Sequence, residues 1–475
     1  MRYVLGIDIG GTHAYAAISR FQDGLWTRPE LLRLGREVPA IPSALHAQAN
    51  GLLTVVDLHR QPDIDPVRVA RGFSRRIGDE VPIVLGGEPF RPDVLTATLT
   101  RWIVDQALHQ EGLAPERIVV SHPGSWGPYR RGLLHRALWE AGLGTVTLLP
   151  EPVATAESHT ASGHAPLASA DPLAVYALGS THFEVSVVRR AASHPGFELI
   201  GAYEPAESIG GADLDDVLVA HLRARLGREL EELPTDDPRR RILGELRAEC
   251  ARAKEALSVA PATEVRIPLP RRVARIPVTR EEWETLIRPT LVSTVDALLH
   301  VISACRVRPA EIHRVLLTGG ATQIPLVADL LEAQFPGRVA VDPDPRVTTA
   351  IGAALAGCRI AAETTPPEQR RHSAPAAAPL ARALTEPSLA GPSLADPANS
   401  APSRASASRA AASRAEPAEP RRDAHRDEPI PSPPPRPPVN VTPLTLPRPK
   451  SRLQSARGTP NPRPADRPRR LTWSR

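Results

Sequence analysis

Two glycine-rich segments, Leu5-Gly-Ile-Asp-Ile-Gly-Gly-Thr-His13 and Leu317-Thr-Gly-Gly-Ala-Thr-Gln-Ile-Pro325, carry residues whose types and spacing suit phosphate chemistry. Each follows an apolar β-type run, and glycine lets backbone N–H groups close around an anion. In the first, Asp8 ends its strand, where a carboxylate can hold Mg²⁺ through water, and the Thr12 hydroxyl can donate to a phosphoryl oxygen. In the second, Pro325 opens a helix after the strand Arg314–Thr318, so a nucleotide could meet a helix N-terminus. Either loop alone reads equally well as the turn of a hairpin, Gly10-Gly11 joining Tyr3–Ile9 to Ala14–Ser19. The pair implies two similar lobes around one nucleotide.

The intervening sequence supplies elements to position these loops. Strand patterns over Tyr3–Ile9, Ala14–Ser19, Ile41–Leu45 and Leu52–Val56 precede a predicted helix Asp93–His109, strand Arg117–Ser121, helix Tyr129–Ala141 and strand Thr145–Leu149. Leu173–Leu178 and Phe183–Arg189 then flank Gly179-Ser-Thr-His182, echoing the N-terminal strand, glycine turn and strand. Gly210-Gly-Ala-Asp213 introduces a helix with Leu214, Val217, Leu218 and Leu222 on one face, and another is predicted over Leu243–Leu257. Thr279 and Glu282 make a capping box for a long helix, with a bend expected near Pro289. Alternating strands and helices around two hairpin-type loops give a two-lobed α/β protein.

Composition divides the chain near residue 360. Of 53 prolines, 24 fall in 361–475, including the run Pro431-Ser-Pro-Pro-Pro-Arg-Pro-Pro438. Such a segment cannot bury enough apolar surface to offset chain entropy, so a disordered tail with polyproline II character is expected. It holds 19 of the 58 basic and 10 of the 53 acidic residues, which makes the tail +9 and the body −4. The basic balance therefore argues against a basic groove in the body. It leaves nucleic acid or an anionic surface as conceivable tail partners, beside the plainer reading of a solvated arm. Three scattered cysteines, Cys250, Cys305 and Cys358, fit neither a disulfide framework nor a zinc site and imply a reducing cytoplasm. With no signal-peptide pattern and no apolar run long enough to span a bilayer, a soluble protein is expected.

Taken in order, several segments resemble the nucleotide-binding domain of the DnaK (heat-shock protein 70) family, within the actin-like ATPase (ribonuclease H-like) fold. They are Gly6–Thr12, Ile41-Pro-Ser43, Pro150-Glu-Pro-Val-Ala-Thr155, Val175–Glu184, Ile209–Asp215, Ala253–Ser258, Val278-Thr-Arg280, Leu317–Pro325 and Ala350–Ala354. The resemblance spans nearly all of 1–360, with a first lobe of about 1–170 and a second of about 171–360. Arginine has displaced lysine almost everywhere, leaving only Lys254 and Lys450. Lys254 stands where the family contacts the nucleoside, and a compact ammonium is not interchangeable with a planar guanidinium.

The resemblance implies ATP or ADP with Mg²⁺ as ligand. Gly10, Gly11, Thr12 and His13 would surround the β- and γ-phosphates, with Asp8 an outer Mg²⁺ ligand and Glu151 positioning the attacking water. Glu151 is expected in a rigid turn between Pro150 and Pro152. Gly179, Ser180, Thr181 and His182 would form the second phosphate loop. Gly210, Gly211, Lys254 and Ser258 would hold the nucleoside, with Gly319 and Gly320 closing behind it.

Departures from the pattern cluster in the chemistry. Ala177 stands where the family has an Asp near Mg²⁺, His182 replaces a phosphate-contacting Thr, and Arg75 takes the place of a catalytic Lys. Around the base, Ala251 and Glu255 replace a Glu and a basic residue, and Gln323 replaces a stacking Arg. Losing one water-positioning group costs about 10²–10⁴ in rate, so slow ATP hydrolysis is expected. The tail shows no alternating strand pattern, so no peptide clamp is expected, and Pro431–Pro438 could recruit protein partners. Two rival readings are a catalytically inactive nucleotide-sensing scaffold and a sugar kinase of the same superfamily; a filament-forming actin relative is a further one.

Overall fold

Gly10 to Thr12 reverse the chain between β1 (Arg2–Ile9) and β2 (His13–Gln22), an antiparallel pair that sets Ile9 opposite Ala14, and Gly10 N–H donates to the His13 carbonyl at 3.0 Å. This is a computed structural model. It describes residues 2–364 except 36–37, 58–60, 62–63, 164–170, 194, 206–208, 228–236 and 271, with backbone alone at 237–240. Three further strands, β3 (Leu25–Trp26), β4 (Arg117–His122) and β5 (Val146–Pro150), complete the path β5-β4-β1-β2-β3, with β4 parallel to both β1 and β5.

The second lobe repeats this plan. Its strands β6 (Leu173–Leu178), β7 (Phe183–Arg190), β8 (Phe197–Tyr203), β9 (Arg314–Thr318) and β10 (Val339–Ala340) run β10-β9-β6-β7-β8. Again a parallel strand flanks a glycine-turned hairpin, and Gly179 N–H donates to the His182 carbonyl at 2.9 Å. The two-lobed α/β architecture of the actin-like fold is thus present, and the pairing that duplicates it is absent from local sequence.

Eight helices complete the described residues: α1 (Pro92–Glu111), α2 (Pro128–Glu140), α3 (Glu151–Ala161), α4 (Gly211–Leu226), α5 (Asp237–Val259), α6 (Arg280–Ala304), α7 (Pro325–Gln334) and α8 (Thr348–Thr364). Helices α1 and α2 close the first-lobe core through Leu95, Leu99, Ile103, Leu134 and Leu138. Helices α4 to α7 pack with β6, β7 and β9 around Trp283, Leu218 and Leu246 in the second. A separate cluster joins the lobes: Val119 and Leu149 of the first sheet, Val153 and Ala154 of α3, Ala353 and Ala356 of α8, and Val175 and Leu316 of the second sheet.

Several expectations are adjusted. Pro150 and Pro152 do not make a turn: Pro150 is the N-cap of α3, Glu151 its first residue and Pro152 its second, within the first turn where a missing N–H breaks no intrahelical bond. Helix α6 runs unbroken through Pro289, and Thr279 caps it by accepting from Glu282 N–H at 3.1 Å. By length and composition α6 would also suit a membrane span, but Trp283, Ile287, Leu291 and Leu298 are buried in the second-lobe core. An antiparallel ribbon, Ala262–Leu269 with Arg272–Thr279, has no counterpart in the sequence reading. Helix α8 runs to Thr364, and the tail at 365–475 lies outside the described residues.

Helices α3 and α8 meet so closely that a Cβ on Gly352 would overlap the Ala154 carbonyl, whereas Gly244 of α5 faces open space. The same substitution should therefore act with opposite sign at the two sites. We expect Gly352→Ala to cost about 1–3 kcal/mol by overpacking. Gly244→Ala should add about 0.5–1 kcal/mol through helix propensity. Urea unfolding of both variants measures the contrast.

Candidate functional site

The two hairpin loops touch each other. Thr12 Oγ1 and Ser180 Oγ share a hydrogen bond, and a Cβ on Gly11 would overlap the Thr181 hydroxyl. The start of α4 is stitched to the second loop, Gly211 N–H donating to Gly179 O at 2.9 Å and Ala212 N–H to Ser180 O at 2.7 Å. A Cβ on Gly210 would lie 2.7 Å from Ser180 O and the amide nitrogens of Thr181 and His182. Gly319, at φ 91°, adopts a left-handed conformation and presses on Leu178, while its N–H donates to Pro345 O at 2.9 Å. Gly210 and Gly319 are required by close backbone approach, and Gly11 by the Thr181 side chain. Of the expected sets, Gly10 to Thr12, Gly179 to His182, Gly210–Gly211 and Gly319–Gly320 thus come together in one group of contacting loops.

Beneath the loops lies a buried charged cluster. Arg75, on the short 3-10 turn Ser74–Arg76, donates Nη2–H to both Glu151 oxygens at 2.9 Å and meets His182 Nε2 at 2.6 Å. A guanidinium has no lone pair to offer, so His182 Nε2 accepts and the ring proton resides on Nδ1. Burial, reinforced by Arg75, drives the His182 pKa well below its ordinary value, which keeps the ring neutral. His182 Nδ1 and Arg75 Nη1 are both buried with no hydrogen-bond partner among the described residues. Burial opposes the charge on Arg75, but Glu151, Glu184 and Glu204 outweigh it and raise its pKa.

Asp8 accepts from Ser121 Oγ at 2.6 Å. Burial, and then the negative charge of Glu151, pushes its pKa up to about 7, against the pull of Ser121 and Arg75. Glu184, on β7, accepts from the backbone N–H groups of Gly124 and Ser125 at 2.9 and 3.0 Å, bridging from the second lobe to the loop after β4. Burial and Glu151 push it, too, up to about 7. Arg75 thus hydrogen-bonds Glu151 and acts at longer range on Asp8, Glu184 and Glu204, an excess of carboxylates over cations that favours cation binding or protonation.

Among the residues expected to contact a nucleoside, Lys254 Nζ donates to Gly211 O at 2.7 Å and pairs with Asp215 at 2.8 Å, tying α5 to the start of α4. Ser258 donates its hydroxyl back to the Lys254 carbonyl at 3.1 Å. His13 stands apart from the buried cluster, exposed at the head of β2 with its ring 6.5 Å from Tyr15.

Sequence reasoning gave no role to Glu184, Ser121 or Glu204. A carboxylate between Phe183 and Val185 on a strand buried over its first six residues was a usable signal for Glu184, because charges are almost never fully buried unless paired. Ser121 and Glu204 offer no such signal, since their contacts depend on how distant strands assemble.

Residues 63–366 match the family model described as Hsp70 protein. A chaperone protein HscA homolog of Acidithiobacillus ferrooxidans is 28% identical over 384 residues, covering 74% of this chain and 58% of its own length. Chaperone protein DnaK of Mycoplasma mycoides subsp. mycoides is 26% identical over 372 residues, covering 76% and 60%. A chaperone protein HscA homolog of Burkholderia mallei is 31% identical over 240 residues, covering 50% and 36%. The chain therefore spans about 60% of the length of the first two relatives.

The raised Glu184 pKa has a definite consequence for stability. From its ordinary 4.5 to about 7 the folded state holds a proton that the unfolded state has released, so stability from this group is lost as pH rises. Asp8, also raised to about 7, acts in the same sense and His122, pushed down to about 4 chiefly by burial, in the opposite one, so the whole-protein profile blends several groups. The difference between wild type and Glu184→Gln isolates the carboxylate. We expect the wild type to lose ground to the variant steadily from pH 4.5 to 7 and no further above, as measured by urea unfolding at each pH.

Proposed function

The chain belongs to the Hsp70 family, and from that premise we propose that its two-lobed body binds ATP or ADP with Mg²⁺, hydrolyses ATP slowly, and couples nucleotide state to lobe closure. The observation that carries this reading is the convergence of Asp8, Arg75, Glu151 and His182 beneath two mutually contacting glycine loops.

The residues fit a magnesium that arrives with its nucleotide. Among the described residues, no group of three or more His, Cys, Asp or Glu side chains is placed to hold a metal ion. Mg²⁺ characteristically keeps waters and phosphate oxygens as ligands, and here Asp8 would hold it through water. When bound, the ion would draw charge from the phosphates and from the carboxylates crowded around Arg75. Arg75 and the protonated Nδ1 of His182 supply donors for phosphoryl oxygens, and Glu151 orients the attacking water. Gly210, Gly211, Lys254 and Ser258 border the nucleoside, with Gly319 and Gly320 behind it.

The family assignment disfavours the sugar-kinase reading. An inactive scaffold differs from a slow ATPase only in turnover, so single-turnover hydrolysis decides between them. Chaperone activity is named for the relatives as whole proteins, and for this chain it is part of the proposal, as are a cytoplasmic setting and partner recruitment through the proline-rich tail.

Three measurements test the reading. A nucleotide at about 100 times its Kd should stabilise the protein by about 2.7 kcal/mol in a Mg²⁺-dependent way, and Lys254→Ala should weaken the affinity. Absence of any nucleotide-induced shift contradicts the proposal. Single-turnover hydrolysis should fall with Glu151→Gln by about 10²-fold or more, and an unchanged rate would remove Glu151 from the mechanism. Truncation after Thr364 should leave melting temperature and nucleotide affinity unchanged while any polyanion or partner binding drops.

A further inference from the structure

The expected base-stacking position holds Gln323, an amide with no charge and no extended plane of cationic character, at the end of the loop Gly320–Gln323. A different residue occupies the adjoining wall. The aliphatic stem of Arg346 lies over Gly320, with Cγ 3.5 Å and Cδ 3.7 Å from where a Cβ would sit. Its guanidinium is fixed along one edge by Asp344, Nε to Oδ1 at 2.7 Å and Nη2 to Oδ2 at 2.8 Å. The Arg346 N–H also donates to Asp344 Oδ1 at 3.1 Å, so side chain and backbone are held by one carboxylate. With 54% of its side chain exposed, the group is braced without being buried.

Other groups define which space Arg346 faces. Glu255, on the α5 face that also carries Lys254 and Ser258, and Tyr15 of β2 both contribute electrostatically to Arg346, after the larger effect of Asp344. Lys254 Nζ and Ala321 Cβ lie 3.0 and 3.5 Å from the Cβ direction of Gly211. Helix α5, the start of α4 and the loop after β9 therefore meet around Gly211, and Arg346 lies against Gly320 of that same loop.

We propose that Arg346, held flat by Asp344, is the base platform of this nucleotide site, stacking on the face of the purine where Gln323 cannot. The inference rests on the nucleotide-binding reading given above. The chemistry follows from the group itself: a guanidinium is planar, delocalised and weakly hydrated, so it stacks on π-systems, and an edge-on carboxylate fixes its plane while leaving its faces free. A base contributes to affinity more when its platform is already immobile, because less side-chain freedom is lost on binding.

The test uses the full chain and calorimetry with two probes, ADP·Mg²⁺ and inorganic tripolyphosphate, which carries phosphates without a base. Arg346→Ala should weaken ADP binding by about tenfold or more while tripolyphosphate affinity stays within about twofold. Arg346→Lys should fail to restore ADP affinity, since an ammonium keeps the charge but lacks the plane. Asp344→Asn should fall between wild type and Arg346→Ala. ADP binding by Arg346→Ala that matches wild type overturns the platform, as does rescue by Arg346→Lys or an equal loss for tripolyphosphate, which would make Arg346 a general charge. Wild-type protein that binds neither probe overturns the nucleotide reading itself, and the platform with it.

Discussion

One guanidinium shared among buried carboxylates governs the centre of this molecule. Arg75 comes from a short turn of the first lobe, spans both oxygens of Glu151 at the start of α3, and meets His182 in the second-lobe loop. Removing it would strand Glu151 and Glu184 in a low-dielectric site, and breaking a buried pair by deleting one partner is far costlier than never having built it. Arginine suits the task better than lysine because one planar fork serves several acceptors at once. The loop that carries His182 also carries Ser180, whose hydroxyl meets Thr12 of the first-lobe loop, so one second-lobe loop contacts both the charge cluster and the first hairpin.

What could be read from sequence was local. The glycine hairpins were legible because turn chemistry is carried by adjacent residues, and their duplication in both lobes gave the fold class. Helix and strand positions followed from periodicity, with ends displaced by a few residues, as at α5. The ribbon Ala262–Leu269 with Arg272–Thr279 was hidden by Pro268 and Pro277, which ordinarily argue against a strand. They are tolerated because this two-stranded ribbon leaves each strand an unpaired edge, where a missing N–H breaks no ladder. Pro-Glu-Pro around Glu151 fell to a similar ambiguity, since the same residues suit a turn and a helix start.

The site was legible only where resemblance supplied the long-range pairing. No spacing rule connects Arg75 to Glu151 or Ser121 to Asp8, and the arrangement arises from the parallel register of β1 with β4 and from α3 following β5. Glu184 shows the complementary limit. Its residue type in a largely buried strand announced that something must satisfy it; Ser186, two residues on, donates at 3.3 Å, but the shorter bonds come from Gly124 and Ser125 N–H of the other lobe. A charged residue on a buried strand can thus reveal that a partner exists without naming it.

The strand register also gives a physical reason why Ala177 and Glu184 belong together. They are directly opposite each other across β6 and β7, so their side chains share one face of the sheet. A second carboxylate at 177 would face Glu184 within the same buried space, and like charges at such a position are destabilising unless a cation lies between them. Alanine relieves that repulsion and leaves Glu184 satisfied by backbone donors from the first lobe. The buried negative charge left for Arg75 to balance is correspondingly smaller. The small residue at 177 and the satisfied lobe bridge at Glu184 are, on this geometry, two sides of one arrangement.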